Sequence, residues 1–220
     1  MPDNFRQDFI RFAIAENVLS FGSFKTKAGR MSPYFFNAGA FNRGRSLRRL
    51  AQFYAKAILA ADLRVDMLFG PAYKGIPLVA GAAIALAEQD VDLPFAYNRK
   101  EAKDHGEGGI VVGSPLAGRV LIVDDVISAG TSVRESVELI RAGGATPAGV
   151  VISLDRMERG QGALSAAQEV TETYHMPVIS IANLNDLLGV LSTDARLEQH
   201  REAVARYRAT YGVRPDLASA

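Results

Sequence analysis

The sequence predicts an α/β fold: a mostly parallel sheet flanked by helices, with a small N-terminal hood lobe. Three observations carry this reading. From Val65 onward, apolar runs of strand length alternate with helical patterns, the signature of parallel strands joined by helical crossovers. Ahead of that region, the aromatic runs Phe21-Gly-Ser-Phe24 and Tyr34-Phe-Phe36 read as short strands of a separate lobe. With 48% hydrophobic and 22% charged positions, a 220-residue chain has enough apolar side chain for one such domain with a sizeable core. That composition excludes disordered, collagenous and coiled-coil classes.

The elements follow in order. Phe5, Phe9, Phe12 and Ala13 recur at helical spacing and predict an amphipathic opening helix. A second helix is predicted over 44–61, where Leu47, Leu50, Ala51 and Tyr54 oppose Arg45, Arg48, Arg49 and Lys56. Buried strands are predicted at 65–69, 93–97, 120–123, 149–154 and 178–181, with helices at 76–89, 132–142 and 163–173. Closing helices are predicted at 184–190 and 194–211, and the stretch from 98 to about 118 reads as an irregular loop. No repeat or Pro/Ser-rich linker interrupts the chain, so residues 1–220 read as a single domain. Its N-terminal helix and hood run to about 62, its α/β core covers about 63–182, and its closing helices about 183–220.

Charge and composition exclude several functions. Lys plus Arg total 25 against 24 for Asp plus Glu, a net charge of +1, so no global field exists to hold a polyanion. No nucleic-acid partner is expected, and the arginines at 43, 45, 48 and 49 read as the wet face of a helix. With no cysteine, disulfides, thiolate metal sites and cysteine nucleophiles are excluded. The N-terminus lacks the apolar stretch of a signal peptide, and the longest apolar run, 76–87, is shorter than the roughly 18 residues a membrane span needs. A cytoplasmic protein with no membrane partner is the expectation. His175 and His200 have no partners at ligand spacing, and Asp186 reads as a solubility feature.

In such a sheet the ligand crevice lies beyond the C-terminal strand ends. The sharpest signal there is Val120-Leu-Ile-Val-Asp-Asp-Val-Ile-Ser-Ala-Gly-Thr-Ser132, an apolar strand that delivers two acids and then a small-residue loop opening a helix. The backbone N–H groups of such a loop, with the helix N-terminus behind them, make a phosphate cradle. Ser128, Thr131 and Ser132 add hydroxyl donors, and the paired carboxylates suit the vicinal hydroxyls of a 5′-phosphorylated ribose. An isolated Asp-Asp would read as a loop cap; the whole string does not. Neither a P-loop nor a G-x-G-x-x-G fingerprint is present.

Two further segments face the same crevice. Asn98-Arg-Lys-Glu-Ala-Lys-Asp-His-Gly-Glu-Gly-Gly109 carries Arg99, Lys100, Lys103 and His105 among glycines, as a lid closing over a polyphosphate would; a solvated charged hairpin is the bland alternative. Phe69-Gly-Pro-Ala-Tyr-Lys-Gly-Ile76 turns tightly from strand to helix and offers Lys74 to a second anion.

The 123–132 string resembles the phosphoribosyl pyrophosphate signature of type I phosphoribosyltransferases. Phe24-Lys-Thr-Lys27-Ala-Gly-Arg, Ser32-Pro-Tyr-Phe-Phe-Asn-Ala-Gly39, the two segments above and Ile152-Ser-Leu-Asp-Arg156 extend the likeness to the bacterial orotate phosphoribosyltransferases over nearly the whole chain. The resemblance implies transfer of ribose 5-phosphate from 5-phosphoribosyl 1-pyrophosphate to orotate, with Mg2+ held mainly by substrate oxygens and water. It implies that Asp124 and Asp125 hold the ribose hydroxyls, and that Val126, Ile127, Ser128, Ala129, Gly130, Thr131 and Ser132 hold the 5′-phosphate. Lys27, Tyr73 and Lys74 would line the phosphoribosyl pyrophosphate site. Arg99, Lys100, Lys103 and His105 would belong to a catalytic loop near 99–109 that is shared across a homodimer, with Lys103, His105, Asp124 and Asp125 in catalytic roles. Phe35, Phe36, Ser128 and Arg156 fall at orotate-contacting positions. Ser128 stands where that family commonly has Thr, which keeps a hydroxyl and removes a methyl. Transfer to another base, or a regulator that only senses phosphoribosyl pyrophosphate, are the competing expectations; a base-preference assay separates the first, and salt-dependent nucleic-acid binding would favour the second.

Overall fold

The computed structural model describes residues 4–26, 28–103, 109–127 and 130–213, with 102 and 103 described by their backbone alone. Helix α1 (Phe5–Ala15) leads into a two-stranded hood in which β1 (Leu19–Lys25) pairs antiparallel with β2 (Met31–Phe36). Helix α2 (Gly44–Ala60) follows, and then strands and helices alternate: β3 (Met67–Gly70), α3 (Gly75–Ala87), β4 (Phe95–Lys103), β5 (Gly109–Gly113), β6 (Arg119–Val123), α4 (Thr131–Ala142), β7 (Thr146–Asp155), α5 (Ala166–Tyr174) and β8 (Val178–Asn183). Helices α6 (Leu184–Thr193) and α7 (Arg201–Tyr211) close the chain.

The six-stranded sheet has the order β5-β4-β3-β6-β7-β8. All its neighbours pair in parallel except β4 with β5. From β3 the chain moves outward to β4, then returns to lay β6 on the opposite side of β3. The crossovers therefore diverge between β3 and β6, and the C-terminal ends of those two strands flank a crevice, where open α/β sheets bind ligands.

Alternating side chains on the central strands build two cores. Leu68, Leu121 and Val123 face a large cluster that also takes Phe9, Tyr34, Phe36, Tyr54, Leu187 and Tyr207, so the hood and the closing helices share one core with the sheet. Phe69, Val120 and Ile122 face the other side, against Val133, Val137 and Ile140 of α4 and Val170 of α5. Burial on both faces explains why these strands read as continuous apolar runs. The apolar run 76–87 is α3, covered by α2 and the sheet. Among the described residues, no helix is long and apolar enough to cross a membrane.

Three expectations are corrected. The stretch 98–118 is in part regular: β4 continues to Lys103 and β5 (Gly109–Gly113) pairs with it antiparallel, with Ala96 opposite Gly113 and Tyr97 opposite Val112, while 114–118 has no regular structure. Charged residues on β4, next to the edge strand β5, hid its alternation, while Gly113, at φ +105° with a Cβ position 2.6 Å from the Phe95 carbonyl, is what the close pairing requires. The last helix begins at Arg201 rather than 194, because the Asp194 carboxylate accepts from the Arg196 amide at 3.1 Å and its Nε at 3.0 Å, and such a local turn competes with helix. Asp186 is a helix cap: its Oδ2 accepts from the Asn183 amide at 2.8 Å while Asn183 Oδ1 accepts from the Asp186 amide at 3.2 Å.

Candidate active site

Strand β6 ends by delivering Asp124 and Asp125, both only 6% exposed, into the crevice between β3 and β6. Neighbouring elements clamp their main chain. Tyr54 on α2 donates its hydroxyl to the Asp124 carbonyl at 2.7 Å, and Ser153 on β7 donates its hydroxyl and amide to the Asp125 carbonyl at 2.6 and 2.9 Å. The carboxylates are held as firmly. Asp124 accepts from the Asp125 amide at 2.8 Å and from Ser132 Oγ at 2.8 Å, so the two ends of the 124–132 loop are tied together. Asp125 accepts from the Val126 amide at 2.9 Å and from Lys74 Nζ at 2.6 Å. Burial, reinforced by the adjacent Asp125 charge, pushes the Asp124 carboxyl up to about 6.

The loop then enters α4. Gly130 takes φ +68°, a left-handed conformation that glycine adopts without a Cβ penalty, and Thr131 and Ser132 form the first turn. The N-terminal amides of a helix lack intrahelical partners and carry its positive dipole end, so this turn can receive an anion.

On the other side of the crevice, β3 turns into α3 with its backbone drawn tight. A Cβ on Gly75 would lie 2.6 Å from Pro71 Cδ, and one on Gly70 would collide with the Gly75 carbonyl. The Ala72 amide donates to Asn98 Oδ1 of β4 at 2.9 Å, and the Ala72–Tyr73 peptide is cis. Tyr73 lies largely exposed, with Lys100 Nζ 5.2 Å from its ring centroid. Arg99 keeps Nη1 buried without a hydrogen-bond partner among the described residues. A buried donor left open in this way is suited to an incoming acceptor.

At the end of β7, Arg156 stacks over the Tyr34 ring of the hood at 4.2 Å and bonds Glu158 and Ser32. The aromatic pair of the hood divides. Phe35 is 45% exposed and stacks on Phe24 at 5.4 Å between centroids, whereas Phe36 is 9% exposed and packs against Phe9. Adjacent residues of a strand face opposite ways, so the two rings do not form one wall.

Of the residues singled out in the sequence, Asp124, Asp125, Ser132 and Lys74 are joined directly, and Tyr73 with Lys100 forms a second contact beside them. Val126, Ile127, Gly130 and Thr131 lie on the same loop. Lys27, His105, Ser128 and Ala129 lie outside the described residues, and Lys103 is described by its backbone only. Sequence reasoning missed Tyr54, Ser153, Ser32 and Glu158, whose roles arise from contacts across the fold. A Ser and an aromatic beside Phe35, and an acid two positions after Arg156, were the available signals.

The donor set at the crevice is two hard carboxylates whose four oxygens each accept a protein hydrogen bond. Such a set fits a hard cation held mainly through ligand oxygens and water. Among the described residues there is no group of three or more His, Cys, Asp or Glu arranged to hold a metal.

The chain is similar to proteins of one family in sequence and in fold. The phosphoribosyl transferase domain family matches residues 39–177. The chain is 67% identical over 210 residues to the orotate phosphoribosyltransferase of Chromobacterium violaceum, covering 96% of this chain and 98% of that protein. It is 68% identical over 211 residues to that of Nitrosospira multiformis, covering 96% and 92%. Among solved structures, orotate phosphoribosyltransferase from Francisella tularensis superposes with a TM-score of 0.85 at 40% identity, covering 93% of this chain and 99% of that one.

Proposed function

The chain belongs to the orotate phosphoribosyltransferase family, and from that premise we propose how its residues divide the work of the reaction. It transfers the ribose 5-phosphate group of 5-phosphoribosyl 1-pyrophosphate to orotate, giving orotidine 5′-monophosphate and pyrophosphate in pyrimidine biosynthesis. The observation that carries the assignment of roles is the joining of Lys74, Asp125, Asp124 and Ser132 across the crevice between β3 and β6.

Asp124 and Asp125 accept the ribose 2′ and 3′ hydroxyls, and the amides of 126–132 with the first turn of α4 take the 5′-phosphate. Lys27, Tyr73 and Lys74 face the pyrophosphate. Arg99, Lys100, Lys103 and His105 close over it. Phe35, Phe36, Ser128 and Arg156 serve the base: the exposed Phe35 ring flanks the flat heterocycle, Phe36 supports that strand from the core, and Arg156 meets the anionic edge.

The bond from the ribose anomeric carbon to pyrophosphate breaks as the bond to the orotate ring nitrogen forms, through an oxocarbenium-like state, and the proton of that ring N–H is released to solvent. Charge accumulates on the leaving pyrophosphate, so the largest contribution of the protein is fixed positive charge at Lys74 and on the closing loop. The hard oxygens of Asp124 and Asp125 suit Mg2+ held mainly by substrate, which when bound supplies further neutralisation of pyrophosphate. The same reading makes the protein a cytoplasmic homodimer, with the segment near 99–109 shared between subunits and the exposed Ile84 and Ile110 as apolar surface for a second copy.

Mixing the purified protein with orotate, phosphoribosyl pyrophosphate and Mg2+, with adenine and uracil as controls, tests this by the change in absorbance. Turnover of orotate alone is expected. Turnover of another base would reassign the substrate, and tight phosphoribosyl pyrophosphate binding without turnover would make the protein a sensor.

A further inference from the structure

The guanidinium of Arg156 is more constrained than a residue that merely lines a base pocket. It has five N–H donors on three nitrogens. Nε donates to Glu158 Oε1 at 2.8 Å, and Nη2 lies 2.6 Å from the same oxygen and 3.0 Å from Ser32 Oγ. The Tyr34 ring covers one face of the group at 4.2 Å. Nη1 makes no hydrogen bond among the described residues; the Tyr207 hydroxyl, itself buried without a hydrogen-bond partner there, lies close enough to Arg156 and Glu158 to interact with both.

Glu158 is itself held. Its Oε1 accepts from the Tyr34 hydroxyl at 3.4 Å, and its backbone bridges to Gly212 just beyond α7. Ser32 is buried and donates onward to the Tyr34 carbonyl at 2.7 Å. The ion pair is largely shielded, with side-chain exposures of 22% and 16%, so it is screened less than a surface pair. A guanidinium pinned along one edge and stacked on one face can point its remaining donors in only one direction.

We infer that Glu158 is a positioning residue for base recognition: it holds Nε and Nη2 of Arg156 so that Nη1 is presented to the anionic edge of the base. This rests on the reading that Arg156 meets orotate. Preorganisation of this kind lowers the entropy lost when the base binds, and so acts on base affinity rather than on pyrophosphate departure.

The test is a set of single and double variants of the full-length protein, assayed for the KM of each substrate, kcat and melting temperature. Glu158→Ala should raise the KM for orotate about tenfold, as expected for loss of one oriented contact, while the KM for phosphoribosyl pyrophosphate changes less than about twofold. Glu158→Gln keeps an acceptor at Oε1 and should recover most of that loss. In the Arg156→Ala background, Glu158→Ala should add little, since the group it positions is gone. Equal rises in both KM values with a matching fall in melting temperature would make Glu158 a structural residue and overturn the inference. So would an orotate KM unchanged by Glu158→Ala when Arg156→Ala raises it. If Arg156→Ala itself leaves the orotate KM unchanged, the site reading beneath the inference is what fails.

Discussion

Lys74 Nζ, on the turn between β3 and α3, lies 2.6 Å from Asp125 Oδ2 at the end of β6, joining two loops 51 positions apart across the crevice. The lysine side chain is 59% exposed and the aspartate 9%, so the pair offers its positive end to the crevice while its negative end stays in the protein. On the proposed assignment of roles, a cation held in this way would meet an incoming pyrophosphate with its orientation already set.

Lys74→Ala is expected to lower kcat/KM for phosphoribosyl pyrophosphate at least about tenfold, since one charge-stabilising donor in such a site is worth more than about 1.4 kcal/mol. Steady-state kinetics at saturating orotate measures this directly. A value within twofold of the native protein would take Lys74 out of the site.

Lys103→Ala should lower kcat at least about tenfold by the same reasoning. Single-turnover measurements separate this from slower product release, and an unchanged chemical step would remove the 99–109 segment from the mechanism.

The raised Asp124 carboxyl predicts a pH dependence with a definite sign. Its ordinary value is 3.8, and burial with the Asp125 charge lifts it to about 6. The folded state therefore binds this proton more tightly than the unfolded chain does. The stabilisation from protonation is fully present below about pH 3.8 and is lost as pH rises through about 6. Melting temperatures of the native protein and Asp124→Asn, compared from pH 4 to 7, should differ by that slope. Asp155 is raised in the same direction by burial, so part of the slope survives in the variant. In the same window, kcat/KM for phosphoribosyl pyrophosphate should fall as pH drops through about 6, because the protonated carboxyl is a poorer acceptor for a ribose hydroxyl. A flat profile between pH 5 and 7 would count against that role.

Tyr54→Phe removes the hydroxyl that donates to the Asp124 carbonyl at 2.7 Å in a fully buried position. The expected cost is about 1–2 kcal/mol of stability, read from denaturant titration. A rise in the KM for phosphoribosyl pyrophosphate should accompany it, as the acid pair loses its support from α2.

Gly113→Ala should destabilise the edge hairpin. Its φ of +105° and a Cβ position 2.6 Å from the Phe95 carbonyl leave no strain-free accommodation. A loss of more than about 1 kcal/mol is expected, with hydrogen exchange accelerated in β4 and β5 ahead of β6 and β7.

Much of this was legible in the chain. The run 120–132 announces a strand, two acids, a small-residue loop and a helix start because each is coded by local chemistry: apolar side chains, carboxylates, small residues, hydroxyls. The helices at 44–60, 75–87 and 131–142 followed from periodicity for the same reason. What failed was local structure written in charged residues. The β4–β5 hairpin lies on an edge, where one side is solvated and alternation has little burial to enforce it. Asp186 and Asp194 were indistinguishable from other surface acids until their backbone partners were in place.

By itself the sequence determined the residue chemistry: which side chains could hold phosphate, ribose and an anionic base, and in what order they follow strand ends. Only the tertiary structure decided which of them meet. The sheet order, with β3 beside β6, is set by packing across many residues, and it alone brings Lys74 to Asp125, Tyr54 to Asp124, and Glu158 with Ser32 to Arg156. These contacts span between 2 and 124 positions, and even the shortest depends on the hood and α7 closing over it, because a hydrogen bond has direction and reach that no spacing along a chain can specify.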